Sequence, residues 1–157
     1  VQLSLLADAL ILACLRLTAT SDEEAAGLMV FGLGKLGGEE LNYSSDIDLI
    51  FLAAEQPQKY IPLAQRLIRA LQGATGEGFL YRVDMRLRPW GRAGALVTSA
   101  ASFMEYLLKD AELWERQALV KARLIAGDPL LGKQVLEASH HLAYGDDPAA
   151  VRASVRT

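Results

Sequence analysis

Two short apolar runs, Leu28 to Phe31 and Asp46 to Leu52, stand close together in the chain, and the stretch between them restricts the fold more than any other feature. The first run ends in glycines, at positions 32, 34, 37 and 38, and reads as a core strand that opens into a glycine-rich turn. Gly32, Gly34 and Gly37 also spell GxGxxG, and Glu55 lies beyond the next strand, which taken literally is a dinucleotide fingerprint. The spacing argues against that reading. A parallel crossover needs about a dozen residues or more, whereas Gly38 to Ser45 supplies eight, several of them helix breakers. A dinucleotide site would also leave Asp46 and Asp48 unexplained, because two carboxylates at the start of a buried strand are costly without a partner.

The acids make sense as a site of their own. At i and i+2 on a strand, Asp46 and Asp48 project to one face with roots roughly 6 to 7 Å apart, while Ile47, Leu49 and Phe51 face the other way. Ile50 and Leu52 make the rest of the acidic face apolar, so the carboxylates belong at the strand mouth. Two bare carboxylates about 4 Å apart repel by roughly 1 kcal/mol in water and about 4 at an effective dielectric of 20, and a divalent cation relieves this. From Tyr81 to Arg88 the residues alternate, with Tyr81, Val83, Met85 and Leu87 on one side and Arg82, Asp84, Arg86 and Arg88 on the other. Asp84 is therefore the natural third acid, set among arginines as expected where a carboxylate-held metal meets phosphate; the plainer reading is a salt bridge on an exposed strand. Backbone N–H groups of the glycine turn, with Lys35 beside them, suit a phosphate.

Composition sets the class. The chain has 157 residues, 52% of them hydrophobic, with 16 Lys plus Arg against 19 Asp plus Glu. That is enough to bury one core, and a net charge of -3 opposes bulk wrapping of nucleic acid. The single cysteine, Cys14, cannot form an internal disulfide, and the apolar stretch Leu3 to Leu17 carries Asp8 and Arg16 and is too short for a membrane span. A cytoplasmic domain cut from a longer protein, without a signal peptide, is expected.

The remaining layout reads as helix. The first helix is expected to end at Ser21 to Glu24, a two-turn helix to cover Leu36 to Asn42, and another to run from Pro62 to Leu71. Ser102 with Glu105 reads as a capping box for a helix through about Lys109, and a further helix is expected from about Glu112 to Ile125. On that helix Arg116 and Arg123 would share a stripe able to meet phosphate, though Glu112 with Arg116 is also an ordinary surface pair. Asp128-Pro129 and Asp147-Pro148 are N-cap pairs that start two more helices. His140 and His141 read as surface residues, and Trp90 and Trp114 as packing residues.

Four blocks carry a resemblance: Gly34 to Leu41, Ser45 to Leu49, Arg82 to Pro89, and Trp114 to Arg116 continuing to Lys121-Ala122-Arg123. From about Leu28 to Asp128 the chain resembles the bifunctional glutamine synthetase adenylyltransferase and adenylyl-removing enzymes, nucleotidyltransferases built like DNA polymerase β. The resemblance implies an α+β fold, a small mixed sheet flanked by helices with a helical C-terminal segment. It implies a catalytic domain over residues 1–127 and the start of a helical region over 128–157. It carries the catalytic and Mg²⁺-binding roles, for two ions, to Asp46, Asp48 and Asp84. Nucleotide and phosphate contacts fall to Gly34, Lys35, Ser45, Arg86, Arg88, Lys121 and Arg123, with ATP, ADP or AMP as the nucleotide.

Family members hold two such halves, one attaching AMP to a tyrosine of glutamine synthetase and one removing it by phosphorolysis. The spellings Asn42 to Asp48 and Tyr81 to Arg86 are more similar to the removing half. Glutamine synthetase is the implied partner, with the PII signal protein acting through the full-length enzyme and with no nucleic acid or membrane. Attachment of AMP from ATP, with Asp84 accepting the tyrosine proton, is the alternative. A regulatory or protein-binding domain with a vestigial site is a second one, opposed by the presence of all three acids.

Overall fold

The computed structural model describes residues 1–144. Its centre is an antiparallel pair, β1 (Met29–Leu33) and β2 (Ile47–Ala53), buried along almost its whole length. Because side chains alternate across a strand, the two apolar runs feed two cores at once. Val30, Leu49, Phe51 and Ala53 face α1 (Gln2–Thr18) and α4 (Ile61–Gln72), joined by Ala7, Ile11 and Leu15 from α1 and by Leu63, Leu67 and Leu71 from α4. Met29, Phe31, Leu33, Ile50 and Leu52 face the opposite layer, built by α5 (Ala100–Lys109) and α7 (Pro129–Ala143) through Phe103, Leu107, Val135, Ala138 and Leu142. The result is an α+β domain with helices on both faces of a five-stranded mixed sheet.

The sheet is completed by three short strands. β3 (Val83–Asp84) and β4 (Val97–Ser99) both run parallel to β2 along the edge away from β1, one at each end. β5 (Arg123–Ala126) runs antiparallel to β1 on its free edge. The further elements are short: α2 (Asp22–Gly27), α3 (Gly34–Gly37), α6 (Leu113–Ala118) and 3₁₀ turns at Pro57–Tyr60, Gly91–Ala93 and Leu119–Lys121.

Several expectations are corrected. Ser21 to Glu24 starts a helix and does not end one: the Ser21 hydroxyl accepts from Glu24 N at 3.1 Å, so α2 is capped there. The helix expected over Leu36 to Asn42 is the four-residue α3, stopped because Glu39 adopts a left-handed φ of 57°. α5 is capped by Ser99, whose hydroxyl accepts from Ser102 N, while Glu105 pairs with Lys109. The helix expected from Glu112 to Ile125 breaks after α6, where the reciprocal cap of Glu112 and Glu115 holds only its first turn. Beyond it the chain is needed as β5, since a buried β1 edge without a partner would leave backbone groups unsatisfied. Arg116 and Arg123 therefore share no stripe.

The alternating strand also stops early. Asp84 accepts from the backbone N of Arg86 at 2.9 Å and turns the chain, and successive turns through Met85, Arg88, Gly91 and Gly94 follow. Tyr81, Val83 and Met85 reach the first core as expected, but Leu87 ends in the second. Trp114 is exposed, and Trp90, also largely exposed, lies with its ring centroid 4.6 Å from that of Tyr106. Asp128 caps α7 as expected, accepting from Leu130 N and Leu131 N. His141 is exposed and His140 half-buried, and Asp147-Pro148 lies outside the described residues.

The revised cap of α5 is open to test. Ser99→Ala should lower stability by about 1 kcal/mol, read as a fall in Tm of roughly 2–4 °C. Ser102→Ala should cost only a few tenths of a kcal/mol, and the reverse ranking would return the cap to Ser102.

Candidate active site

One row of residues across the sheet defines the site. Leu33 of β1 pairs with Asp48 of β2, and Asp48 pairs with Asp84 of β3. In a parallel pair, residues in register project to the same face, so Asp48 and Asp84 are neighbours at the mouth of the two strands. Asp46 lies two residues earlier, just before β2, where Ile47 N donates to Arg82 O at 2.9 Å and extends the ladder. The three acids thus come to one end of two adjacent strands. Asp48 is half-buried, while the side chains of Asp46 and Asp84 are 49% and 14% exposed.

The glycine turn walls this end of the sheet. Gly34 follows Leu33 directly, has a φ of +54°, and a Cβ placed on it would come within 2.5 Å of Asp48 Oδ2. Both facts demand glycine: L side chains are strained at that φ, and the Asp48 carboxylate occupies the space a side chain would need.

Arginines hold two of the acids. Arg82 Nε donates to Asp46 Oδ1 at 2.7 Å, and Arg86 Nε donates to Asp84 Oδ2 at 2.8 Å and Oδ1 at 3.0 Å. Among the described residues no three His, Cys, Asp or Glu side chains are gathered tightly enough to hold an ion between them. A cleft of about 440 Å³ opens over the site, lined by Asp46, Asp84, Arg82, Arg86, Arg88 and Arg92 with Gln72 beside them. Four guanidiniums against two carboxylates make the cleft basic in a chain whose net charge is negative. Such a surface attracts an anion.

The acids titrate apart. Burial first, then the negative charges of Asp84 and Asp46, push the Asp48 carboxyl above the ordinary carboxylate range, with Arg86 opposing them. Asp84 moves the other way, because the hydrogen bond from Arg86 holds its charged form. Neighbouring carboxylates driven in opposite directions are a feature of functional sites.

The other residues marked in the sequence fall into two groups. Arg86 and Arg88 line the cleft, although Arg88 also donates to the carbonyls of Met85, Arg92 and Gly94 and braces the turn that carries it. Lys35 is exposed on α3, and the Ser45 hydroxyl accepts from Asn42 N at 3.3 Å. Lys121 and Arg123 line no part of the cleft: Lys121 pairs with Glu40, and Arg123 with Asp8. The cleft adds Arg82 and Arg92. Arg82 was legible as the residue sharing a strand face with Asp84, whereas Arg92 enters only because the chain coils back after Arg88.

These features define a class: a mixed-sheet α+β domain with an acid-floored, arginine-walled cleft suited to phosphate chemistry. The chain belongs to the glutamate-ammonia ligase adenylyltransferase family, whose model matches residues 1–138. It is 50% identical over 122 residues to the bifunctional glutamine synthetase adenylyltransferase/adenylyl-removing enzyme of Thioalkalivibrio sulfidiphilus, covering 71% of this chain and 13% of that protein. The enzyme of the same description from Chromobacterium violaceum is 45% identical over 138 residues, covering 84% of this chain and 15% of that protein. The chain therefore spans about one-seventh of the length of these relatives. A solved structure described as a toxin-antitoxin with AMP-PNP covers 96% of this chain and 98% of its own at 19% identity, with a TM-score of 0.40. No helix among the described residues is long and apolar enough to cross a membrane.

The raised carboxyl of Asp48 sets a sign for stability. A carboxylate whose folded pKa lies above its unfolded value weakens the fold once pH has risen through the folded value, and that penalty disappears below the ordinary carboxylate pKa of about 3.9. Asp48→Asn should therefore raise stability at neutral pH by about 0.5 kcal/mol, an increment of ion-pair size, or roughly 1–2 °C in Tm. Thermal melts at pH 7.5 and 3.5 should show the gain at the first and lose it at the second.

Proposed function

We propose that this domain carries out nucleotidyl transfer on glutamine synthetase, in the direction that removes AMP from an adenylylated tyrosine. The observation that carries the reading is the register of Asp48 with Asp84, beside a basic cleft that Asp84 and Asp46 line. Membership of a family whose relatives are described as both adenylyltransferase and adenylyl-removing enzymes supports the chemistry. The similarity of Asn42 to Asp48 and Tyr81 to Arg86 to the removing half supports the direction.

The donor set fits Mg²⁺. It consists of hard carboxylate oxygens, and the charge of Asp48 is disfavoured by burial and by two like neighbours, a cost that a cation relieves. Asp46, Asp48 and Asp84 are the residues that would hold it once Asp46 and Asp84 leave Arg82 and Arg86 and close on Asp48, and the bound metal would neutralise charge on the transferred phosphoryl group.

The chain's own groups do the rest. Arg86, with Arg82 and Arg92, binds phosphoryl oxygens of the incoming phosphate and of the AMP group and aligns them for in-line displacement. An oxygen of inorganic phosphate forms a bond to the AMP phosphorus, the bond from that phosphorus to the tyrosine oxygen breaks, and the products are ADP and a free tyrosine that takes up a proton.

Incubating the chain and Mg²⁺ with adenylylated glutamine synthetase and phosphate should release ADP, whereas unmodified glutamine synthetase with ATP should remain unlabelled. Asp46→Asn and Asp48→Asn should each reduce ADP release at least 100-fold while the far-ultraviolet circular dichroism stays unchanged. Labelling of the unmodified enzyme would reverse the assigned direction, and full activity in either variant would remove the acids from the mechanism.

A further inference from the structure

The residues from Lys121 to Arg123 lie outside the cleft, yet they grip the glycine turn at three points. The first is steric: Gly37 packs so closely on this segment that a Cβ there would lie 2.2 Å from Lys121 O. The second is an ion pair between Lys121 Nζ and Glu40 at 2.9 Å, just past the turn. The third is Arg123, whose guanidinium donates to Leu36 O at 3.1 Å and Gly37 O at 3.4 Å, the carbonyls at the C-terminal end of α3.

The same guanidinium is anchored from behind by Asp8 of α1, with contacts of 2.5 and 3.1 Å. Arg123 is only 27% exposed and Asp8 16%, so a paired, forked hydrogen bond of this kind holds its geometry better than an exposed lysine contact. Arg123 also stands in register with Gly32 on β1, two residues before Gly34. The backbone of β1 and the guanidinium thus hold opposite ends of one short turn, and the turn's front, Gly34, abuts the Asp48 carboxylate.

We infer that Arg123, backed by Asp8, is a positioning residue that fixes the glycine turn against Asp48. It acts through the turn carbonyls it bonds, from outside the cleft. Its catalytic consequence rests on the function proposed above; its effect on the turn does not.

The test uses the whole chain and two readouts. The first is amide hydrogen exchange at Gly38, Glu39 and Glu40, whose N–H groups bond to Gly34 O, Leu36 O and Lys35 O within the turn. Arg123→Gln should speed exchange at these amides at least tenfold and leave the ladder between β1 and β2 unchanged. Asp8→Asn, which removes the anchor but keeps the guanidinium, should give a smaller increase at the same three amides, and Arg123→Lys should lie between Arg123→Gln and the unaltered chain. The second readout is ADP release: Arg123→Gln should raise the KM for phosphate at least fivefold with kcat changed less than twofold, and Arg123→Lys should recover part of the loss. Unaltered exchange at the turn, or equal acceleration throughout the sheet, would overturn the inference. If the unaltered chain releases no ADP, the proposed function fails and the exchange pattern still decides the role of Arg123.

Discussion

A single cross-strand row, Leu33 to Asp48 to Asp84, organises the molecule. Because β1 and β2 are buried on both faces, a register slip of one residue would turn both apolar sets into the wrong layers and drive the acids toward hydrocarbon. The hydrophobic pattern that builds two cores therefore also fixes where the carboxylates stand. Strand β3 contributes only two residues, but one of them is Asp84, and its parallel pairing is what brings a third acid to a site that the β1–β2 hairpin could not complete.

The charges around this row oppose the fold locally. Burial and like charges raise the Asp48 carboxyl, and its neighbours offer only partial relief, since Arg82 and Arg86 are engaged with Asp46 and Asp84. Both arginines are about two-thirds exposed, so these ion pairs are weakly held in water and yield readily to a competing anion. The two hydrophobic layers supply the stability that such a site lacks.

The sequence made the two central strands, the spacing of Asp46 and Asp48 at the start of the second, and the cap of α7 legible because each is set by neighbours within a few residues. Alternation in the strand from Tyr81 held as far as Met85 and failed at Leu87, because the side chain of Asp84 bonds the backbone at Arg86 and turns the chain. The β5 strand was hidden for a different reason. Leu124, Ile125 and Ala126 suit a helix or a strand equally, and the choice is made by the open edge of β1, some ninety residues earlier. Arg92 was invisible for the same reason, since it reaches the cleft through coiled turns that include left-handed residues at Trp90 and Gly91.

The misread helix also changes what its basic residues do. On a helix, Arg123 would have been one of a pair of cations facing outward; on β5 it lies beneath the glycine turn and is met by Asp8 from α1. Three distant parts of the chain, α1, the turn after β1, and β5, are thereby joined through one guanidinium. A turn of four helical residues beginning with a left-handed glycine has little stiffness of its own. Its precision is borrowed from the rigid elements around it, which is how a glycine that must remain small can still hold a carboxylate in place.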